Sequence, residues 1–169
     1  MEKILITSRL YLRRFSSDDS AYFFALNEDP EVIHYTGDVP FTDEAAARAF
    51  LDQYDHYQHF GYGRWAVIRQ SDEAYLGWCG LKYTPELGET DLGFRFFRKY
   101  WGKGYATESA KACLRLGFEQ FNLNQIVGRA YPENKASHRV LEKIGMQFLE
   151  ERKEDKEHWV VYYINNNGG

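Results

Sequence analysis

The sequence predicts a single α/β domain built on a mixed sheet, in two or three layers. Three observations carry this. Strand signals and helix-period segments are interspersed along 169 residues, a length that suits one domain. Between residues 64 and 97, three strand signals follow one another across short turns, which reads as an antiparallel meander. A strand then runs through a glycine-rich turn, "WGKGYATE", straight into a helix.

Element by element, "ILITSRLYLRRF" is β-branched and aromatic and opens the chain as strand, with a candidate break near Thr7–Ser8. "SSDDSAYFFALNEDP" is a helix: Ser16 or Ser17 caps it, Asp18 and Asp19 suit the positive end of its dipole, and Pro30 closes it. "VIHYTGDVPF" connects, with room for one helical turn. The segment 42–61 is one helix with Thr42 as cap, Ala46, Phe50, Leu51 and Tyr54 on its apolar face, and Gly61 as its stop. "RWAVIR" and "AYLGWCGLKY" flank the turn "QSDE" as a hairpin, and "TDLGFRFF" follows the turn "TPELGE".

The period then changes. Ala106, Ala110, Cys113, Leu114, Gly117, Phe118 and Phe121 recur at three and four residues, one apolar helix face. "QIVGRAY" is a strand. "NKASHRVLEKIG" is a capped helix with Val140, Leu141 and Ile144 inward and Gly145 at its stop. "MQFLEERK" and "HWVVYYI" form a closing hairpin around "EDKE". The domain is expected over 1–164, with 165–169, "NNNGG", as a frayed tail.

Hydrophobic residues make up 44% of the chain and aromatics 17%, enough for a packed core. The net charge of −4 argues against a nucleic-acid partner and is compatible with cationic ligands. Cys79 and Cys113 have no paired spacing and no nearby His, so neither a disulfide framework nor a zinc site is expected; both read as buried small apolar residues. His56 and His59 sit three apart on a helix, which reads as a solvated face, and no metal site is expected. The apolar run at the N-terminus is too short for a signal peptide, and no stretch approaches the roughly 18 apolar residues of a membrane span. The expected compartment is the cytoplasm, with no membrane partner.

The glycine turn points to chemistry. First-turn helix N–H groups lack intrahelical partners and sit at the positive end of the dipole. Gly102 and Gly104 let a phosphate approach those groups without a Cβ in the way, Lys103 adds charge and Thr107 a hydroxyl. A plain glycine loop is the rival reading. The turn is not a P-loop, since Lys103 lacks the following Ser or Thr, and it is not a dinucleotide fingerprint, which would need a third glycine in an opening βαβ unit.

"FRFFRKYWGKGYATESAKACLRLGF" and "PENKASHRVLEKIGM" together resemble the GNAT superfamily of acetyl-coenzyme-A-dependent N-acetyltransferases. The signature is Gln/Arg-x-x-Gly-x-Gly/Ala at a strand-to-helix junction, with an Asn-x-x-Ser/Ala helix start about thirty residues on; Lys99 departs from its first position. "RLYLRRF", "WGKGYATE" and "NKASHRVLEKIGM" are most similar to the branch holding the ribosomal-protein (RimJ/RimL-type) acetyltransferases. The resemblance runs from Arg9 to the end. It implies the acyl-CoA N-acyltransferase fold, a mostly antiparallel central sheet flanked by helices.

The resemblance also implies roles. The diphosphate of acetyl-CoA would sit on Gly102, Lys103, Gly104, Tyr105, Ala106 and Thr107. The pantetheine arm would pair with the strand around Phe94 to Phe96, and the Phe96 N–H would hold the developing oxyanion. Asn134 would hydrogen-bond the arm, or serve only as a helix N-cap. Many relatives carry a Tyr acid seven residues later; here that residue is Leu141, so Ser137 is the candidate donor to the departing thiolate, against the alternative of a hydroxyl bonding its own backbone. Asp91 is the candidate base, or a strand-end surface carboxylate, with Glu89 a weaker one.

The implied reaction is direct attack of a primary amine on the thioester in a ternary complex. The acceptor would enter near Val32 to Phe60, where Tyr35, Tyr54, Tyr57 and nearby acids could hold an apolar chain with a cationic end. A protein or peptide N-terminus, a polyamine or an antibiotic amine all fit. The rival from another class is a non-catalytic acyl-CoA sensor, for which the missing Tyr speaks. The chain would act as a monomer or a homodimer, the closing hairpin having an edge to pair or cover.

Overall fold

In the computed structural model, residues 1–154 and 156–167 are described. Asp155, in the expected closing turn, and Gly168 and Gly169, of the expected tail, lie outside the described residues. Eight strands form one sheet in the order β1-β2-β3-β4-β5-β6-β8-β7. They are β1 (Lys3–Ile6), β2 (Leu10–Arg13), β3 (Arg64–Arg69), β4 (Ala74–Thr84), β5 (Glu89–Phe96), β6 (Gln125–Ala130), β7 (Gln147–Glu154) and β8 (Glu157–Asn165). Every neighbouring pair is antiparallel except β5 with β6. The mostly antiparallel mixed sheet is thus as the sequence reading has it.

The opening strand is two strands. Thr7 turns the chain at the expected break: its N–H donates to the Leu10 carbonyl (2.8 Å), and its Oγ1 accepts from the Leu10 N–H (3.1 Å). The first expected helix is divided as well. Ser16 caps a 3-10 turn, Ser17–Asp19, that leads into α1 (Ser20–Glu28). Pro30 then starts α2 (Pro30–Ile33) as its first residue, under an Asp29 cap, because a proline at that place gives up an N–H that has no helical partner anyway.

The expected helix 42–61 is α3 (Glu44–Asp52) and α4 (His56–Phe60), and its cap is Asp43, whose Oδ1 accepts from the Ala46 N–H (2.8 Å), not Thr42. The break at 53–55 has a packing reason. It lets the Tyr54 hydroxyl accept from the Arg64 N–H (2.8 Å) and the Tyr57 hydroxyl donate to the Arg64 carbonyl, so both rings anchor the start of β3. Ala47 and Leu51 are the buried residues of α3, while Phe50, expected inward, is 44% exposed.

The long helix α5 (Tyr105–Glu119) and α6 (Lys135–Lys143) pack on one face of the sheet, through Cys113, Leu114 and Leu141 against Cys79, Leu81 and Ile126. Side chains alternate along a strand, so Trp78 lies on the opposite face, and there it meets the α1 and α3 cluster of Phe23, Ala47 and Leu51. The arrangement is therefore three layers. At the far end, Asn165 still belongs to β8, and the Asn166 N–H donates to the Asn124 carbonyl (2.8 Å), so the expected tail begins inside the sheet's own bonding.

β5 and β6 pair only at Asp91↔Val127 and Leu92↔Gly128. On its other side β5 stays paired with β4 as far as Gly77↔Phe96. Residues 93–96 are thus laddered on one side alone, and the sheet splays there. Among the described residues no helix is long and apolar enough to cross a membrane.

Candidate active site

The splayed half of β5 runs into the glycine turn. The Trp101 indole N–H donates to the Phe96 carbonyl (2.9 Å), which ties the turn to the end of the strand. Gly102 has φ +74° and Gly104 φ +83°. That left-handed backbone is strained for any residue with a Cβ. Gly104 is the N-cap of α5 and offers no side-chain hydrogen bond to the helix start. The N–H groups of Tyr105, Ala106 and Thr107 therefore begin the helix uncapped. Nothing lies within 4 Å of where a Gly102 Cβ would be, and only an Arg9 nitrogen, at 3.4 Å, approaches that of Gly104. The junction is an open run of uncapped amides.

One acidic residue, Glu108, sits in that first turn and would repel an anion. Its carboxylate is turned aside and neutralised: it accepts from Thr7 Oγ1 (2.6 Å), the Arg9 N–H (3.0 Å) and Arg9 Nε (2.8 Å). Burial alone would raise the Glu108 carboxyl, but those hydrogen bonds outweigh it and hold it below its usual range. Arg9 also donates to the Lys103 carbonyl (3.0 Å) and lies 4.3 Å over the Tyr105 ring. Sequence reasoning missed this arginine, since nothing local in the chain links position 9 to a turn more than ninety residues on.

On β5 the Phe97 N–H donates to the Leu76 carbonyl of β4 (3.0 Å). Strand alternation then turns the Phe94 and Phe96 N–H groups the other way, toward the splay. Their rings pack into the core, so the residues offer backbone to the gap and side chain to the interior.

Across the gap, Asn134 caps α6. Its Oδ1 accepts from the Ser137 N–H (3.3 Å) and its Nδ2 donates to Ser137 Oγ (2.9 Å). The N-cap reading of Asn134 is realised, and Ser137 Oγ engages this side chain rather than its own backbone. A cleft of about 750 Å³ brings Asp91, Phe94, Asn134, Ser137 and Leu141 together with the aromatic side chains of the opposite layer. The glycine turn lies outside this cleft's lining, beyond the far end of β5.

The acids differ from expectation. Asp91 is buried, with Oδ1 on Arg64 (2.7 Å) and Oδ2 on Arg129 (3.2 Å). Arg64 reaches it across the sheet because Gly93 has no Cβ; an added one would stand 2.7 Å from the guanidinium. Both oxygens of this carboxylate are engaged by guanidinium groups, so the geometry makes Asp91 an anchor for Arg64 and Arg129. Glu89 is held likewise by Arg152 (2.7 Å) and Arg129 (2.9 Å), and the Arg152 hydrogen bond comes first among the causes that lower its pKa. His56 lines the cleft with both ring nitrogens engaged: Nδ1 meets the Tyr62 carbonyl and Nε2 accepts from the Tyr83 N–H (2.9 Å). Burial leads the causes that lower its pKa, so it stays a neutral structural ring.

Of the aromatic residues expected at the acceptor entrance, Tyr35 and Tyr54 line the cleft, while Tyr57 is buried and burial pushes its hydroxyl far up. Five basic side chains line the cleft, Arg64, Lys82, Arg95, Arg129 and Arg152, against three carboxylates, Asp38, Asp91 and Glu157. Of the acids expected near Val32 to Phe60 to hold a cationic chain, Asp38 lines the cleft, and it is already paired with Arg95 (2.7 Å).

The acetyltransferase (GNAT) domain model matches residues 9–147. An uncharacterized N-acetyltransferase, p20, of Bacillus licheniformis is 32% identical over 145 residues, which cover 85% of this chain and 82% of that protein. An acetyltransferase of the GNAT family from Bacillus anthracis is 31% identical with a TM-score of 0.80, over 96% of this chain and 98% of that one. RimL, a ribosomal-protein α-N-acetyltransferase solved with coenzyme A, has a TM-score of 0.84 at 14% identity, over 99% and 100% of the two chains; that likeness concerns the fold alone.

Proposed function

The chain belongs to the GNAT acetyltransferase family and is an acetyl-CoA-dependent N-acetyltransferase; from that premise we propose how its own residues do the work. The uncapped amides of Tyr105, Ala106 and Thr107, with the Gly102–Gly104 backbone, hold the diphosphate, and Arg9 and Lys103 add positive charge beside it. The free edge of β5 receives the pantetheine arm as an added strand, since residues 93–96 have no β6 partner. The Phe96 N–H points at the thioester oxygen and stabilises the charge that gathers there as the amine attacks. Ser137 Oγ, held by Asn134, donates to the sulfur as it leaves.

The acceptor's proton leaves to water, since the carboxylates Asp38, Asp91 and Glu89 are already held by arginines. Asp91 acts by fixing Arg64 and Arg129, not by taking that proton. The similarity of "RLYLRRF" and "NKASHRVLEKIGM" to the Rim-type branch supports a protein or peptide N-terminal amine; a small amine is the rival acceptor.

The observation that carries the proposal is a strand edge left unpaired, joined through the turn of residues 97–104 to an uncapped helix start. Release of coenzyme A across an amine and peptide library tests it. Turnover above background with at least one class is expected. Tight coenzyme A binding with no turnover on any amine would make the chain a sensor, and thermal stabilisation by ATP equal to that by coenzyme A would remove the diphosphate assignment.

A further inference from the structure

We propose that Arg95 reads the acceptor by binding a carboxylate carried within a few bonds of the reacting amine. The acceptor class is then an amino acid, or a peptide beginning with an acidic residue, and not a polyamine. This rests on the acetyl-transfer reading above.

Arg95 stands on β5 between Phe94 and Phe96. Adjacent Cα atoms are about 3.8 Å apart, so Arg95 is rooted one residue from the amide assigned to the thioester oxygen and reaches from there, by the length of its side chain, into the cleft. The side chain leaves the strand on the cleft face, stacked over Trp78 at 5.2 Å, and is only 10% exposed. Arg64, Arg129 and Arg152 have their carboxylates supplied from strands of the sheet itself. Arg95 does not. Its Nη1 donates to the neutral Asn27 Oδ1 (2.8 Å), and its one carboxylate is Asp38, on Nη2 at 2.7 Å. Asp38 comes from the connection between α2 and α3 and is itself 54% exposed.

Nε of Arg95 is buried and has no hydrogen-bond partner among the described residues. Nε and Nη2 share one edge of the guanidinium, the edge that pairs side-on with both oxygens of a carboxylate. Asp38 uses half of it. A substrate carboxylate arriving in place of Asp38 can satisfy both nitrogens, relieving a buried orphan donor in the process. Asp38 is thus a stand-in that an incoming acceptor displaces. Phe41, Phe50 and Val39 border the same part of the cleft and favour an apolar group beside the carboxylate.

The test uses the whole chain with four acceptor arms: free apolar amino acids, short peptides beginning with Asp or Glu, the matching amino-acid amides, and spermidine. Wild type is expected to favour a carboxylate-bearing arm in kcat/KM by about 10- to 100-fold; the first two arms identify the source. Arg95→Gln should erase that preference while leaving amides within about threefold. Asp38→Ala, a change at an exposed residue, should lower KM for carboxylate acceptors severalfold, because the competitor is gone. Spermidine or amides acetylated as well as the acids, or an Arg95→Gln loss equal across all arms, would reduce Arg95 to a structural tie between sheet and α1. Calorimetry of N-acetyl amino acids against their amides on the coenzyme A-loaded protein separates the two readings. Selective binding without turnover overturns the reaction and keeps Arg95 as the reader; turnover with indifferent binding does the reverse.

Discussion

Gly104 holds φ +83° as the N-cap of a fifteen-residue helix. A β-branched residue there faces both the left-handed penalty of about 1–2 kcal/mol and a Cβ in the anion's path. Gly104→Val should weaken coenzyme A binding about tenfold or more by calorimetry, with dephospho-acyl mimics lacking the diphosphate unaffected; an unchanged Kd would empty the cradle of its role. Ser137→Ala removes one hydroxyl whose partner, Asn134, keeps its bond to the Ser137 N–H. It should lower kcat by about 10²-fold with KM for acetyl-CoA within about twofold. Equal losses in both constants would mean the hydroxyl merely shapes the helix start. At this scale the sequence was informative where function lies in backbone or in a local motif. Gly102 and Gly104 stand out by their place before a helix, and Asn134 and Ser137 through the resemblance to the family's second motif. Arg9 and Arg95 do not, because each acts on groups distant in the chain.

Four strands meet in one ionic network. Glu89 and Asp91 of β5 bind Arg64 of β3, Arg129 of β6 and Arg152 of β7. It fastens the parallel pair exactly where the two strands still touch, below the splay.

 

Asp91→Ala would leave the Arg64 and Arg129 guanidinium groups without their shared carboxylate in a largely buried place. A loss of about 3 kcal/mol of stability is expected in urea titration. A variant as stable as wild type, with the acid limb of its pH–rate profile moved, would return Asp91 to the role of base. Glu89 supplies the pH dependence. Its folded pKa lies below the ordinary 4.5, so its contribution is complete above that value and is lost as pH falls through the lowered one. Glu89→Gln should therefore be less stable at pH 7 and flatter below about pH 4.5; parallel curves for the two proteins would count against the network. Elements themselves were legible where the period was long and uniform, as in α5, or where turn signals bounded the strands, as in the β3–β4 hairpin. The segment 42–61 was not, because its break serves Tyr54 and Tyr57, whose hydroxyls seek backbone groups around β3 that no local pattern reveals.

Across the whole molecule, Cys79 of β4 and Cys113 of α5 meet in the layer between sheet and helix, with their sulfurs 3.8 Å apart and neither side exposed to solvent. A thiol reagent should react with both only as the three layers come apart, so labelling and loss of circular dichroism should share one denaturant midpoint. Labelling well before unfolding would mean that α5 lifts from the sheet on its own. The sequence by itself determined the helix period of α5, the strands of the β3–β4 hairpin and the glycine junction, since each depends on residues close together in the chain. It also determined the family, through two motifs about thirty residues apart. Only the tertiary structure decided where β5 and β6 part, which carboxylates are already taken by arginines, and that Arg95 keeps a replaceable partner. Those features arise from pairing between distant segments, where burial and charge are set by neighbours that local sequence does not specify.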